Sequence, residues 1–424
     1  YVEGLRNIPV LLQLFFWYAL ITEGLPGPRQ ALNPLPGIFL SARGLKLRLR
    51  LAPALVSTPS ARREATMRAE IETLEELDAH INDEGTLRGC ALQDLDLTDH
   101  AAALETLDVH NALFLGCRLS ASVADLLARR GALVFPRLPD VPFDAYRAGL
   151  YTPDELYLNL QRGYPSTIDG RVYSWTLRGT VGLLDATLAR ALHDHSIADA
   201  LVEAHPDPAL GVGIMGGHAI GRGTDAYRRT ARLAHQLAAS GRLVITGGGP
   251  GSMEAANLGA SFTGTPEQLD AASDELAAVP SFKPSVEAWA KVAFGVRDRY
   301  RCTAPTLGIP TWFYGHEPPN IFATAIAKFF DNAIREDTLL ALCGAGVIFT
   351  EGAAGTVQEI FQAATRDYYA AELRQLRPLV LVGLDYWTET IPAWPLLATL
   401  ASGRLMQPHI HLVDTVEDAL DALT

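Results

Sequence analysis

The sequence GGGPGSM at residues 247–253 decides the fold class of this chain. It follows an apolar run, Leu243–Thr246, and precedes a helical pattern of small residues at positions 254–260. A second stretch, EGAAGTVQE at residues 351–359, has the same setting after the apolar residues 347–350. Each arrangement predicts a strand, a glycine turn and a helix whose first backbone N–H groups are free to bind phosphate. Two such turns on one sheet indicate a nucleotide held between two anion-binding loops.

Together the two stretches resemble the Lonely guy (LOG) family of phosphoribohydrolases, whose signatures are GGGxxGxM and PGGxGTxxE. The first signature is intact, and the second keeps four of its positions, which are Gly352, Gly355, Thr356 and Glu359. Glu351 stands where the family has proline, and Ala353 stands where it has the second glycine. With GIPTWFYGHEPPN at residues 308–320, this loop looks more like the longer bacterial branch, which includes nucleotide 5′-monophosphate nucleosidases. The resemblance covers residues 151–424.

Short apolar runs alternate with helical patterns through this region. The alternation predicts an α/β fold: a Rossmann-like doubly wound parallel sheet of about seven strands, with helices on both faces. The predicted strands are residues 212–215, Leu243–Thr246, 276–279, 309–313, 347–350, Leu379–Val382 and 411–413. The predicted helices between them include Asp225–Ala239 and residues 321–333. Ligands on such sheets bind at the carboxyl ends of the strands, where the glycine loops fall.

A further glycine pattern, GVGIMG at residues 211–216, has the spacing of a dinucleotide-binding fingerprint. Its glycines bracket the first strand instead of opening the helix that follows, so we do not expect NAD to bind. The loop after this strand, residues 216–223, adds His218 and Arg222 as further candidates for binding phosphate.

Cleavage of the N-glycosidic bond of a nucleoside monophosphate passes through an oxocarbenium-like ribose. The reaction needs a carboxylate, a cation for the phosphate and a site closed to bulk water. Glu359 lies one helical turn past Thr356 and can face a ligand held by the loop, and the LOG resemblance implies that it is catalytic. Arg335 lies at about the spacing of the family's catalytic arginine; a surface salt bridge is the alternative. Glu351 is either a second carboxylate of the pocket or a cap of the turn.

The two loops and the segment before the second loop supply the candidate binding residues. We expect the substrate and its phosphate to contact Gly248, Gly249, Gly251, Met253, Gly352, Gly355, Thr356 and Asn320. Met253 is a candidate to lie against the base, and the alternative is ordinary core packing. His316, Glu317 and Asn320 follow a predicted strand and are candidates to contact ribose or base, with a structural turn as the alternative.

Composition excludes several other functions. The chain has 424 residues and a formal net charge of −13, which argues against nucleic-acid binding. No cysteine pair has CxxC spacing, so no metal is expected, and scattered thiols fit a cytoplasmic protein; they are Cys90, Cys117, Cys302 and Cys343. No cofactor is expected either, because no lysine has a visible setting for pyridoxal phosphate. The LOG resemblance also implies a homo-oligomer.

The sequence predicts three regions: residues 1–66, 67–150 and 151–424. Residues 1–50 resemble a fragment of a polar amino-acid ABC transporter permease, and their apolar run is too short to span a bilayer unaided. We interpret residues 1–66 as a remnant and linker, with a membrane anchor as the alternative. In the small second region, Leu87, Leu92 and Leu97 recur every five residues, faintly like a pentapeptide β-helix, and a capping or interface role is expected.

The sequence therefore favours hydrolysis of a nucleoside 5′-monophosphate to free base and ribose 5-phosphate. A non-catalytic carrier of nucleotide or molybdenum cofactor would use the same phosphate loops, and the altered second signature keeps that alternative open. A membrane transport component, suggested by the first 50 residues alone, is disfavoured because the sequence supplies no further spans.

Overall fold

The computed structural model describes residues 68–424, except residues 179–182, 206, 314–316 and 424, together with three strands nearer the N-terminus. Those three strands form an antiparallel sheet and are β1 (Leu32–Leu35), β2 (Ile38–Ser41) and β3 (Gly44–Leu47). They belong to a compact unit, Tyr1–Met67, which is distinct from the unit Arg68–Thr424. The apolar run of the permease-like segment lies outside the described residues. Within the described part of the chain, no helix is long and apolar enough to cross a membrane.

The second unit begins with a small parallel sheet of four strands, which are β4 (Glu70–Ile71), β5 (Ala91–Gln93), β6 (Leu113–Leu115) and β7 (Leu133–Phe135). Successive strands are joined through helices α1 (Leu74–Glu84), α2 (Ala101–Leu104) and α3 (Ala121–Arg129). Leu92 pairs with Phe114, 22 residues further along the chain, and the pairs Ile71 with Leu92 and Phe114 with Val134 are 21 and 20 residues apart. The predicted five-residue repeat is therefore wrong in its period. Leu87, Leu92 and Leu97 are buried within one coil of a solenoid whose turns each include a helix.

Three helices lead into the main sheet: α4 (Pro153–Leu156), α5 (Ile168–Thr176) and α6 (Leu184–Ala204). Asp194 of α6 accepts hydrogen bonds from the backbone N–H groups of Phe330 (2.8 Å) and Asp331 (2.7 Å). These bonds tie α6 to the segment that precedes the next helix of the site.

The main sheet has seven strands, all parallel, and confirms the predicted Rossmann-like architecture. The strands are β8 (Gly211–Met215), β9 (Leu243–Thr246), β10 (Thr306–Gly308), β11 (Ala325–Ile326), β12 (Gly346–Phe349), β13 (Leu379–Val382) and β14 (Ile410–Val413). Their spatial order is β11-β10-β9-β8-β12-β13-β14. The chain thus winds outward from β8 in one direction, then returns to β12 and winds the other way.

Helices cover both faces of this sheet. They are α7 (Asp225–Ala239), α8 (Ser252–Ser261), α9 (Pro266–Leu276), α10 (Val286–Tyr300), α11 (Asn332–Leu342), α12 (Ala354–Tyr368), α13 (Ala393–Ala401) and α14 (Val416–Asp421). Successive residues of β12 belong to two different buried clusters: Val347 and Phe349 pack in one, and Ile348 packs in the other. Burial on both sides explains why the strands are continuously apolar.

Three predicted elements are wrong. Residues 276–279 are not a strand, because Thr265 and Gln268 form a capping box that starts α9, and Leu276 belongs to the buried face of that helix. The strand predicted at residues 309–313 lies earlier, at β10, and Pro310 has no N–H to extend the ladder. The predicted helix at residues 321–333 instead contains β11, and α11 begins only where Asp331 caps it.

Candidate functional site

A cleft of about 460 Å³ opens at the carboxyl ends of β8 and β12. These two neighbouring strands mark the point where the winding direction reverses, which is where ligands bind in doubly wound sheets. The loops that follow them are in contact, since the backbone N–H of Gly217 donates to the carbonyl of Glu351 at 2.9 Å. The cleft therefore lies where loops from the two halves of the sheet are joined by a hydrogen bond.

The glycine loop after β9 packs against the loop after β8. Gly248 and Gly251 have φ angles of +71° and +72°, which favour glycine. A Cβ on Gly251 would lie 2.3 Å from the carbonyl oxygen of Gly217, and a Cβ on Gly248 would lie 2.7 Å from the ring of Pro310. Close contact between backbones, as well as conformation, requires these glycines.

Asn320 holds this glycine loop from behind. Its backbone N–H donates to the carbonyl of Gly248 at 2.8 Å, and its side-chain amide donates to the carbonyl of Gly249 at 3.1 Å. Its side-chain oxygen accepts from the N–H groups of Phe322 and Ala323. Because Asn320 is fully buried with both side-chain groups bonded inside the protein, its visible role is to position the loop.

The loop after β12 forms the floor of the cleft. A Cβ on Gly352 would lie 2.1 Å from Oγ1 of Thr356, whereas a Cβ on Gly355 would meet nothing within 4 Å. Gly352 is thus required by packing, and Gly355 faces open space. Helix α12 starts here without a side-chain cap, so the amides of its first turn have no intrahelical acceptor. The hydroxyl of Tyr386 donates to the carbonyl of Gly352 at 2.9 Å and fixes the loop.

A buried charged cluster lines the same cleft. Nη1 of Arg335, on α11, lies 2.6 Å from Oε1 of Glu336 and 3.8 Å from Oε1 of Glu359 on α12. Burial, reinforced by Glu336, raises the pKa of Glu359 from 4.5 to about 8. Burial also raises the pKa of Glu336. Oε2 of Glu336 and Nε of Arg335 have no hydrogen-bond partner among the described residues. Both atoms are buried polar groups whose hydrogen-bonding capacity is unused within the described part of the protein.

The opposite wall of the cleft carries a second ion pair. Nδ1 of His218 lies 2.9 Å from Oε1 of Glu317, and this hydrogen bond raises the pKa of His218. Met253 lies beneath the glycine loop, because a Cβ on Gly247 would fall 2.8 Å from its sulfur. Met253 is largely buried but contributes to the cleft surface, which fits both the predicted base contact and core packing.

The structure brings together six of the predicted site residues along the cleft, namely Met253, Arg335, Gly352, Gly355, Thr356 and Glu359. The other four, Gly248, Gly249, Gly251 and Asn320, form the layer behind it. Glu351 also lines the cleft, and its side chain does not cap α12. Direct contact of any of these residues with substrate stays a prediction.

Arg222, a candidate for phosphate, has a different place in the structure. Its guanidinium forms a buried pair with Glu254 at 2.9 Å and donates to the carbonyls of Val279 and Trp289. This arginine holds the loop against α8 and α10, and it does not line the cleft.

Sequence reasoning assigned no role to two residues of the cleft, Glu336 and Tyr386. Glu336 adjoins Arg335 in the sequence, but a buried carboxylate cannot be told from an exposed one by position alone. Tyr386 follows β13 and had no motif to mark it. No group of three His, Cys, Asp or Glu side chains in the described part of the chain is placed to hold a metal ion.

Comparison with known proteins gives a short sequence match and distant structural likenesses. No protein-family model matches the chain. A 45-residue segment is 58% identical to the putative amino-acid ABC transporter permease YhdX of Escherichia coli, over 11% of this chain and 12% of the relative. It is 47% identical to the L-amino acid permease AapQ of Rhizobium johnstonii, over 11% of each chain. The chain thus spans about an eighth of these relatives, and the expected permease resemblance of a short segment is confirmed.

Two solved structures are similar to about half of this chain. The molybdenum cofactor binding protein of Rippkaea orientalis is 18% identical, with a TM-score of 0.31, over 50% of this chain and 93% of its own. The Moco carrier protein of Chlamydomonas reinhardtii is 17% identical, with a TM-score of 0.30, over 50% and 94%. These likenesses are too distant to carry an argument about ligands. Fold and cleft together define a Rossmann-like α/β protein with a loop-lined cleft at its switch point.

Proposed function

We propose that this chain is a phosphoribohydrolase that cleaves a nucleoside 5′-monophosphate into free base and ribose 5-phosphate. The observation that carries the proposal is that the buried side chains of Glu359 and Arg335 line the same cleft as the uncapped start of α12. A phosphate at that helix start would leave the ribose beside the carboxylate.

The phosphate end of the site is supplied by backbone groups. The amides of Ala354, Gly355 and Thr356 belong to the first turn of α12, and Gly355 leaves room for an approaching oxygen. The positive end of the helix dipole adds to their attraction for an anion. Arg335 adds a full positive charge at the inner end of the cleft.

The chemical end is supplied by Glu359. As the C1′–N bond breaks, its electron pair leaves with the base, and positive charge develops on the ribose. The ionised carboxylate of Glu359 stabilises that charge and accepts the proton of the water that adds to C1′. That proton then passes to the departing base, directly or through solvent, and the base leaves as the neutral free base. The cleft is partly closed to solvent, so the interaction is stronger there than in water.

Incubation with a panel of nucleoside monophosphates, followed by chromatography for free base, tests the proposal. We expect release of base from monophosphates and much weaker binding of the matching nucleosides, since each charge-assisted bond contributes roughly 1.5–3 kcal/mol. Equal affinity for adenosine and AMP by calorimetry would remove the case for a phosphate site.

One observation favours a second candidate, a non-catalytic carrier of nucleotide or molybdenum cofactor. Glu351 brings a carboxylate into the phosphate loop where the LOG signature has proline, and Ala353 replaces a glycine. A protein that binds monophosphates but never releases base would support the carrier. Assembly into a homo-oligomer and a cytoplasmic location, both suggested by the sequence, are further parts of the proposal, to be tested by sizing and by fractionation.

A further inference from the structure

The ionisable side chains that line the cleft are unequal in sign. Four are carboxylic acids and two are basic groups: Glu317, Glu336, Glu351 and Glu359 against His218 and Arg335. Ionised together, these acids would repel a dianionic phosphate, and burial raises the pKa of Glu359 and of Glu336. Some feature of the ligand should therefore compensate for the carboxylates.

Short ion pairs within the cleft involve only two of these four glutamates. His218 pairs with Glu317 at 2.9 Å, and Arg335 pairs with Glu336 at 2.6 Å. Glu359, at 3.8 Å from the same Arg335 nitrogen, shares a cation that is already engaged. Oε2 of Glu336 is buried without a partner in the described part of the chain. Nε of Arg335 is likewise buried without a partner there, so an unpaired donor and an unpaired acceptor adjoin each other on the cleft.

The acids and the phosphate-binding amides are separated along α12. Glu359 lies three residues beyond Thr356, which corresponds to about 4.5 Å of helix rise. Glu336 and Glu317 lie on other segments around the same inner space. A nucleotide can thus place its phosphate at the helix start and its ribose and base among the carboxylates.

We propose that the preferred substrate is a nucleoside monophosphate whose base is itself a cation, of the pyridinium or N7-alkylated purine class. This proposal rests on the function proposed above and specifies the substrate of the same site. The positive base lies among Glu317, Glu336 and Glu359, and the phosphate lies at the start of α12. The two charges of the ligand then match the two ends of the cleft.

A cationic base also suits the chemistry. The C1′–N bond breaks with its electron pair passing to the ring nitrogen, so the base departs neutral and needs no proton. Water adds to C1′ and gives one proton to Glu359, from which it passes to solvent. The products are neutral base, ribose 5-phosphate and one proton. The bound cation favours the ionised form of Glu359, which is the form that accepts this proton.

Nicotinamide mononucleotide is the probe, and its dihydro form, which has nearly the same shape but a neutral ring, is the matched control. We expect the cationic form to bind at least about tenfold more tightly, as a desolvated charge pair would give. Calorimetry in two buffers of different ionisation enthalpy should show release of protons with the cationic form only. The released protons would come from the carboxyl of Glu359. This carboxyl faces Glu336, Arg335 and Glu317, and Glu351 and His218 also line the cleft.

The variant Glu317→Gln should reduce that preference several-fold, whereas Glu372→Gln, at an exposed position outside the cleft, should leave it unchanged. Equal binding of the two forms by the native protein would overturn the substrate class, as would faster release of base from AMP or CMP than from nicotinamide mononucleotide. In the latter case phosphoribohydrolase activity would still stand. If no monophosphate releases base, the proposed activity fails, and the binding ratio of the two forms alone decides whether the cleft selects a cation.

Discussion

Arg335 and Glu359 face each other across the inner end of the cleft, 3.8 Å apart, from two different helices. The distance is longer than a hydrogen bond, and Arg335 makes its short contact with Glu336 instead. Glu359 is thus attracted by the guanidinium without being neutralised by it. A carboxylate in this position can respond to charge that develops on a substrate, which is what glycosidic cleavage requires.

Replacing Glu359 by glutamine should separate binding from catalysis. The change keeps size and hydrogen-bonding capacity but removes the charge that acts in the transition state. We expect turnover to fall by about 10²-fold or more while nucleotide affinity stays within a few-fold of the native value. Turnover that survives the substitution would assign the chemistry to another carboxylate, with Glu351 as the next candidate.

Arg335→Ala should weaken both steps, because a partner of the phosphate acts in the bound state as well as in the transition state. The substitution also leaves Glu336 and Glu359 buried without a cation, so thermal stability should fall. Arg374→Ala, at a strongly exposed arginine outside the cleft, is the control and should alter neither property. Calorimetric titration and a melting curve on each variant distinguish loss of the site from loss of the fold.

The pH dependence of the reaction should report Glu359. Because burial raises its pKa to about 8 and the ionised form is active, kcat/KM should increase as pH rises from 6 towards 9. The free energy of unfolding should change with pH in the opposite direction. The folded protein holds a proton that the unfolded chain releases near 4.5, so stability contributed by this group is lost as pH rises towards 8. Glu359→Gln should remove both slopes relative to the native chain, and a rate that falls across this range would identify the protonated acid as the active form.

Substitutions of Gly352 and Gly355, in the loop after β12, should separate an effect on folding from an effect on binding. Gly355→Ala adds a methyl group that meets nothing within 4 Å but enters the cleft, so nucleotide affinity should fall with little change in melting temperature. Gly352→Ala places its methyl 2.1 Å from Oγ1 of Thr356 and should destabilise the loop itself. If Gly355→Ala leaves affinity unchanged, the ligand does not approach the start of α12.

How far the sequence predicts this molecule depends on what determines each feature. The glycine loops were predictable because Gly248 and Gly251 adopt backbone conformations that favour glycine, and such positions leave a readable pattern. The helix that contains the start of the apolar run 276–279 was not predictable from that run, because a buried helix face and a short strand use the same residues. The capping box of Thr265 starts a helix there.

The charged cluster of Arg335, Glu336 and Glu359 could be predicted only in part from the sequence. Arg335 and Glu359 were predicted from a resemblance, but the burial of Glu336 depends on how α11 packs against α12, and local sequence does not encode that packing. Asn320 was predicted as a ligand contact because a polar side chain after a strand often is one. The structure instead directs its amide to Gly249, since the loop carbonyls also need donors.

The N-terminal residues 1–66 should be dispensable for folding and for ligand binding. Residues 68–424 form a compact unit of their own, and the cleft is built wholly within it. A chain that begins at Met67 should therefore fold, remain soluble and bind monophosphates with the affinity of the full chain. Circular dichroism, a melting curve and calorimetric titration on the two forms would measure this. Lower stability or weaker binding in the shortened chain would show that residues 1–66 contribute to the folded protein, and would contradict their interpretation as a remnant.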